Sequence, residues 1–76
     1  MKKRINIIGA GESGVGAALL ARKEGMDVFV SDSNPIREKY KEVLLNHEIG
    51  FEEGGHTPEK LLNADEVIKS PGIPDT

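Results

Sequence analysis

The chain of 76 residues contains no cysteine, and it has only two histidines. Without cysteine it can form no disulfide, no thiolate metal site and no thiol nucleophile. Two histidines are too few for most zinc sites. The missing cysteines leave the cytoplasm as the expected compartment.

Positive charge and long apolar runs are also scarce. Ten Lys and Arg residues against 13 Asp and Glu residues give a net charge of −3. Nucleic-acid binding needs a clustered positive surface, and the only basic run is Lys2-Lys3-Arg4. No segment approaches the roughly 18 apolar residues of a membrane helix, and residues 5–8 are too short for the core of a signal peptide. We therefore expect neither nucleic acid nor a membrane as a partner.

Short apolar runs alternate with helical patterns along the whole chain. Strands are predicted at Arg4–Gly9, Met26–Asp32, Glu48–Glu53 and Glu66–Lys69, with a helix between each pair. The β-α-β-α-β-α-β order predicts an α/β fold with a parallel sheet of strand order 3-2-1-4 and helices on both faces. The sequence ends after a strand and a turn without a closing helix, so we expect a single truncated domain.

Two details of the helices can also be predicted. Asn34 is expected to cap the second helix, with Pro35 at its first position. His47 lies on the apolar face near the end of that helix, where a structural role is favoured over ligand binding.

A glycine-rich turn carries the main functional signal. Gly9, Gly11 and Gly14 form G-x-G-x-x-G between a strand and a helix. In such turns the first glycine permits the tight turn, the second lets a phosphate approach the backbone, and the third lets helix and strand pack closely. The N–H groups around Glu12–Val15 would bind a diphosphate. A purely structural tight turn is the alternative.

Three polar residues accompany this turn. Ser13 could cap the helix or contact a phosphate. The Glu12 side chain is expected to point into solvent, because a carboxylate repels a diphosphate. Asp32 ends the second strand 21 residues after Gly11, where dinucleotide-binding domains place a ribose-reading acid. A turn aspartate is the alternative for Asp32.

Other polar residues give weaker signals. His56 is expected to form a local hydrogen bond to backbone. Lys69 ends the fourth strand at the rim where such sheets bind ligands, and it could face a phosphate or solvent. The sequence contains no catalytic constellation and no metal-ligand pattern, so no catalytic or metal-binding residue is assigned.

Three segments together resemble the N-terminal domain of the Mur ligases. They are Gly9–Gly14 after a strand, Ser31-Asp32 at the end of the next strand, and 63–73 with its Asp-x-Val-Ile strand and Ser-Pro-Gly-Ile turn. That turn is the most specific element, since an NAD-binding domain has no need of it. The resemblance runs across nearly all 76 residues.

The resemblance implies a Rossmann-like domain over residues 1–76 that binds the UDP part of a substrate. The implied contacts are Gly11, Glu12, Ser13 and Gly14 for the diphosphate, Asp32 and Ser33 for uracil, and Ser70, Pro71 and Gly72 along the substrate crevice. Uracil presents an N–H between two carbonyl oxygens, so a carboxylate with nearby backbone N–H groups complements it.

For the longer parent protein, the resemblance implies an ATP-dependent ligase of peptidoglycan synthesis that joins D-glutamate to UDP-MurNAc-L-alanine. ATP, magnesium and D-glutamate would bind in later domains, so this chain alone is expected to hold no cofactor and to be inactive. A further strand that the family supplies is missing, which would leave the fourth strand open to self-association. The alternatives are an NAD-binding domain of an oxidoreductase or nucleotide sensor, and a fragment that folds without binding a ligand.

Overall fold

A computed structural model of the chain describes residues 3–69, without the side chains of residues 60 and 61. The elements in this range follow one another as strand and helix in strict alternation. They are β1 (Arg4–Ile8), α1 (Glu12–Lys23), β2 (Asp27–Asp32), α2 (Glu38–Asn46), β3 (Gly50–Glu53), α3 (Pro58–Leu62) and β4 (Glu66–Lys69).

The four strands form one parallel sheet in the order β3-β2-β1-β4. In the register, Ile7 pairs with Val30 on one side and with Ile68 on the other. The chain steps outward from β1 to β3 and then crosses back to β4. With right-handed crossovers, this reversal puts α1 and α2 on one face and α3 on the other. The predicted α/β class and strand order are confirmed.

The core lies between the sheet and the pair α1 and α2. Alternate strand residues point to this face, and Ile7 and Val30 are completely buried there, as is Leu44 of α2. Small residues on α1, among them Gly14 and Ala18, let the helix lie close to the sheet. This close packing fixes the start of α1 against the end of β1. None of the helices within residues 3–69 has the length and hydrophobicity needed to cross a bilayer.

The start of α2 differs from the prediction. The helix begins at Glu38 with Arg37 as its N-cap, and no side chain caps it. The Asn34 N–H instead donates to Asp32 Oδ1 at 2.9 Å, and the Ile36 N–H donates to Glu53 Oε1 at 2.7 Å. Carboxylates at the ends of two strands thus satisfy these N–H groups, and residues 33–37 form a loop rather than a first helical turn.

The segment after α2 also differs. His47 is the C-cap of α2 and is exposed, so its predicted place on the apolar face was wrong. The strand that follows begins at Gly50 rather than Glu48, because Glu48 takes a positive φ of 56° that no strand residue adopts. The buried residue in this segment is Ile49 rather than His47.

Candidate functional site

Three loops meet where the parallel strands end. The register places Ile8 of β1 beside Ser31 of β2, and Asp32 of β2 beside Glu53 of β3. The loops are the glycine-rich turn (residues 9–14), the β2–α2 loop (residues 33–37) and the β3–α3 loop (residues 54–57). Ligands of open α/β sheets bind at this carboxyl edge, so the site is built from these three loops.

Gly9 and Gly14 are required by the shape of the glycine-rich turn. Gly9 has a φ of 106°, and its N–H donates to the Ser31 carbonyl oxygen at 2.7 Å. A Cβ on Gly14 would lie only 1.8 Å from the Gly9 carbonyl oxygen. The first glycine therefore permits the turn and the third permits the contact between helix and strand, as the motif predicts.

Gly11, in contrast, is not required by the fold. It is the N-cap of α1 with φ −81° and ψ −168°, which any residue can adopt, and a Cβ there would have no atom within 4 Å. The backbone at this position is therefore open to an approaching ligand.

The start of α1 offers three N–H groups beside Gly11. The first intrahelical hydrogen bond runs from the Val15 N–H to the Gly11 carbonyl oxygen at 2.9 Å. The N–H groups of Glu12, Ser13 and Gly14 precede it and have no helical acceptor. No side chain caps the helix, so the alternative that Ser13 serves as the cap is wrong. Glu12 and Ser13 are both exposed.

Asp32 connects all three loops. Its Oδ2 accepts the Ala10 N–H at 2.8 Å, its Oδ1 accepts the Asn34 N–H at 2.9 Å, and its carbonyl oxygen accepts the Gly55 N–H at 3.2 Å. The bond to Asn34, two residues along the chain, confirms that Asp32 acts as a turn aspartate through Oδ1. A carboxylate can accept about four hydrogen bonds, so these two leave room for a ligand donor. Ser33 is exposed directly beside it.

A second carboxylate, which the sequence analysis did not single out, holds the β2–α2 loop. Glu53 Oε2 lies 2.6 Å from Lys41 Nζ, while its Oε1 accepts the Ile36 N–H. The hydrogen bond from Lys41, and after it the one from Ile36, hold the pKa of Glu53 below its ordinary value. The same contact raises the pKa of Lys41. No motif marks Glu53, and its partner Ile36 lies 17 positions earlier, so the sequence does not reveal this pairing.

His56 and Lys69 complete the carboxyl edge. His56 Nδ1 lies 2.8 Å from Ser31 Oγ, so the prediction of a local hydrogen bond to backbone was wrong. Lys69 is exposed at the end of β4, beside Ile8 of β1. Ser70, Pro71 and Gly72 lie outside the described residues, and their place in a crevice stays a prediction.

The carboxyl edge is an open surface rather than a cavity. A cavity of about 310 Å³ lies at the opposite edge, between the strand starts at Arg4, Asp27 and Gly50 and Asn63, which follows α3. No group of three acidic or histidine side chains that could hold a metal occurs in the described range. Among the described residues, the carboxyl edge offers the backbone N–H groups at the start of α1 and the partly engaged carboxylate of Asp32. The N–H groups suit the phosphates of a ligand.

Comparison with known proteins agrees with this geometry. The model of the family described as the MurD N-terminal domain matches residues 4–76. The chain belongs to this family. This result favours the predicted Mur ligase resemblance over the NAD-binding alternative.

The relatives of this MurD N-terminal domain carry the name UDP-N-acetylmuramoylalanine–D-glutamate ligase. The protein from Bacteroides thetaiotaomicron is 63% identical over 73 residues, which is 96% of this chain and 16% of that protein. Those from Porphyromonas gingivalis and Christiangramia forsetii are 59% and 57% identical over 76 and 75 residues, or 100% and 99% of this chain. Each of these two matches covers 17% of the relative. The chain thus spans about one sixth of the length of these enzymes.

Proposed function

We propose that this MurD N-terminal domain, residues 1–76, binds the UDP part of UDP-MurNAc-L-alanine for a longer ATP-dependent ligase that adds D-glutamate. The observation that carries the proposal is the open backbone at Gly11. A Cβ there would meet no atom within 4 Å, and the three N–H groups at the start of α1 lie directly beside it. The names of the relatives support the substrate class.

The diphosphate would bind at the glycine-rich turn. The N–H groups of Glu12, Ser13 and Gly14 point out of the helix start, where the helix dipole also favours negative charge. Gly11 lets the phosphate oxygens come close to the backbone, and the exposed Ser13 hydroxyl can add a donor. Glu12 contributes its N–H while its exposed carboxylate stays in solvent.

Uracil would bind at Asp32 and Ser33. The remaining acceptor capacity of the Asp32 carboxylate suits the uracil N3–H, and Ser33 can donate to a neighbouring carbonyl oxygen. The hydrogen bond between Asp32 Oδ2 and the Ala10 N–H joins this subsite to the diphosphate turn. The two subsites are therefore held at a fixed separation, as recognition of an intact nucleoside diphosphate requires.

The covalent chemistry would take place outside this chain. In the proposed reaction, ATP phosphorylates the carboxylate of the L-alanine residue, the amine of D-glutamate attacks the acyl phosphate, and phosphate leaves as the amide forms. ATP, Mg²⁺ and D-glutamate belong to other domains in this proposal, and the role of residues 1–76 is to hold the nucleotide end of the substrate. The cytoplasm stays the predicted compartment.

An NMR titration of the ¹⁵N-labelled chain with UDP and with NAD tests the proposal. We expect saturable shifts of the amides of Gly11–Val15, Asp32 and Ser33 with UDP, and weak or no shifts with NAD. Amides of the exposed loop around Glu48 serve as the internal reference. Stronger saturable shifts with NAD at the same amides would contradict the UDP proposal and restore the oxidoreductase alternative.

A further inference from the structure

A hydrogen-bonded pair, Ser31 and His56, lies at the end of β2, directly before the proposed uracil-binding residues in the chain. The Ser31 side chain is almost completely buried, with 1% of the residue exposed. Its Oγ lies 2.8 Å from His56 Nδ1, although 25 residues separate the two in sequence. Because Ser31 directly precedes Asp32, this contact acts on the end of β2 from which the proposed base-binding residues project.

The β3–α3 loop is shaped to bring His56 to this position. Gly54 and Gly55 both have positive φ, 78° and 155°, which turns the chain back over the end of β2. Thr57 then fixes the far side of the loop, since its hydroxyl and N–H both donate to the Glu52 carboxylate at 2.7 and 3.1 Å. The loop is therefore anchored on both sides of His56.

Two contacts join this loop to the end of β2. One is the pair of His56 and Ser31, and the other is the hydrogen bond from the Gly55 N–H to the Asp32 carbonyl oxygen. Together they join the loop to both residues that end β2, through the Ser31 side chain and the Asp32 carbonyl oxygen. The glycine-rich turn has one anchor that does not involve Ser31, the close packing of Gly14 against the Gly9 backbone. Loss of the His56 side chain would thus affect the base subsite more than the diphosphate subsite.

We infer that His56 is a positioning residue that sets the nucleobase selectivity of this domain by holding Ser31, and through it Asp32 and Ser33, in place. The inference rests on the proposed UDP binding. The Asp32 carboxylate can accept the N3–H of uracil, whereas the unprotonated N3 of cytosine is itself an acceptor. Discrimination between UDP and CDP therefore reports the placement of Asp32 and leaves the ribose and diphosphate contacts unchanged.

The test measures the affinities of the chain and its variants for UDP, CDP and inorganic pyrophosphate. The wild-type chain should prefer UDP over CDP by about fivefold or more, because one net hydrogen bond contributes about 1 kcal/mol and CDP cannot form it with Asp32. His56→Ala should reduce this preference about threefold or more and leave pyrophosphate affinity unchanged. His56→Asn should restore the preference, because its side-chain amide lies where Nδ1 lies. His56→Gln should not, because its amide lies one bond further out. His47→Ala, at an exposed histidine, is the matched control.

The outcomes separate the inference from the proposed function. A wild-type chain without saturable UDP binding, or without preference over CDP, would overturn the proposed function and this inference with it. A selective wild type whose His56→Ala variant stays equally selective would overturn the inference alone. An equal loss of affinity for all three ligands would show that His56 has only a structural role, and it would overturn the inference. If His56→Ala does not fold, the comparison of His56→Asn with His56→Gln decides, and equal selectivity of those two variants overturns the inference.

Discussion

Substitutions at three glycines of one short segment should separate the requirements of folding from those of ligand binding. A Cβ on Gly14 would lie 1.8 Å from the Gly9 carbonyl oxygen, whereas real Cβ atoms essentially never come within 3.0 Å of such an atom. The helix and the turn must therefore move apart by at least 3.0 − 1.8 = 1.2 Å. The obstacle is backbone, so no side-chain rotation can relieve it.

The cost of Gly14→Ala can be placed on the scale of the whole domain. Overpacking costs about 1–3 kcal/mol when neighbours can adapt, and we expect about 3 kcal/mol or more against backbone. At about 0.05–0.15 kcal/mol per residue, a chain of this length has a stability of about 4–11 kcal/mol. The substitution should lower the melting temperature by about 12–24 °C, since about 1 kcal/mol corresponds to 4–8 °C in a domain of this size.

Gly16 and Gly11 provide the matched comparisons, because a Cβ at either position meets no atom within 4 Å. Gly16→Ala lies inside α1 and should stabilise the chain by about 0.5–1 kcal/mol. Gly11→Val should cost about 1 kcal/mol or less through the weaker N-cap. It should nevertheless weaken UDP binding by about tenfold or more, because the side chain would stand where the phosphate approaches.

Thermal unfolding and UDP titration of the three variants measure both effects. A Gly14→Ala chain that melts with the wild type would refute the steric reasoning. A Gly11→Val chain with wild-type UDP affinity would show that the turn is not the phosphate site.

Two further predictions concern stability at low pH and the open edge of the sheet. The pKa of Glu53 is lowered in the folded chain, so its contribution to stability is complete above the unfolded pKa and is lost as the pH falls through the folded pKa. Urea unfolding should therefore show that Glu53→Gln is less stable than the wild type at pH 7, and this difference should shrink below about pH 4. Glu38→Gln is the control, because Glu38 is an exposed partner of Lys41 and its replacement should change stability little. A difference as large at pH 2 as at pH 7 would contradict the ionic origin. Within residues 3–69, β4 pairs with β1 alone, and Val67 is 46% exposed. Sedimentation should show association that rises with concentration and is weakened by Val67→Lys but not by Leu45→Lys, at a residue 64% exposed on α2. A monomer at all concentrations would exclude pairing along β4.

The parts of the fold that depend on local pattern could be predicted from the sequence. The alternation of short apolar runs with helical segments was sufficient for the parallel sheet and its strand order, since chain connectivity and right-handed crossovers leave few arrangements. The roles of Gly9 and Gly14 were also predictable, because a tight strand-to-helix turn requires glycine at those positions within six residues. The family resemblance could also be predicted, because each of its three motifs is a continuous stretch of sequence.

The tertiary structure alone decided how the loops at the carboxyl edge are held. The sequence predicted Asp32 as a ligand-binding residue, and the structure shows that its carboxylate also accepts hydrogen bonds from the Ala10 and Asn34 N–H groups. α2 begins at Glu38 because strand-end carboxylates bind the preceding N–H groups, so the cap and proline signals at 34–35 do not start the helix. His56 meets Ser31 across 25 residues of sequence. In each case a polar group in a loop has several possible partners, and only the register of neighbouring strands brings one of them within hydrogen-bonding distance.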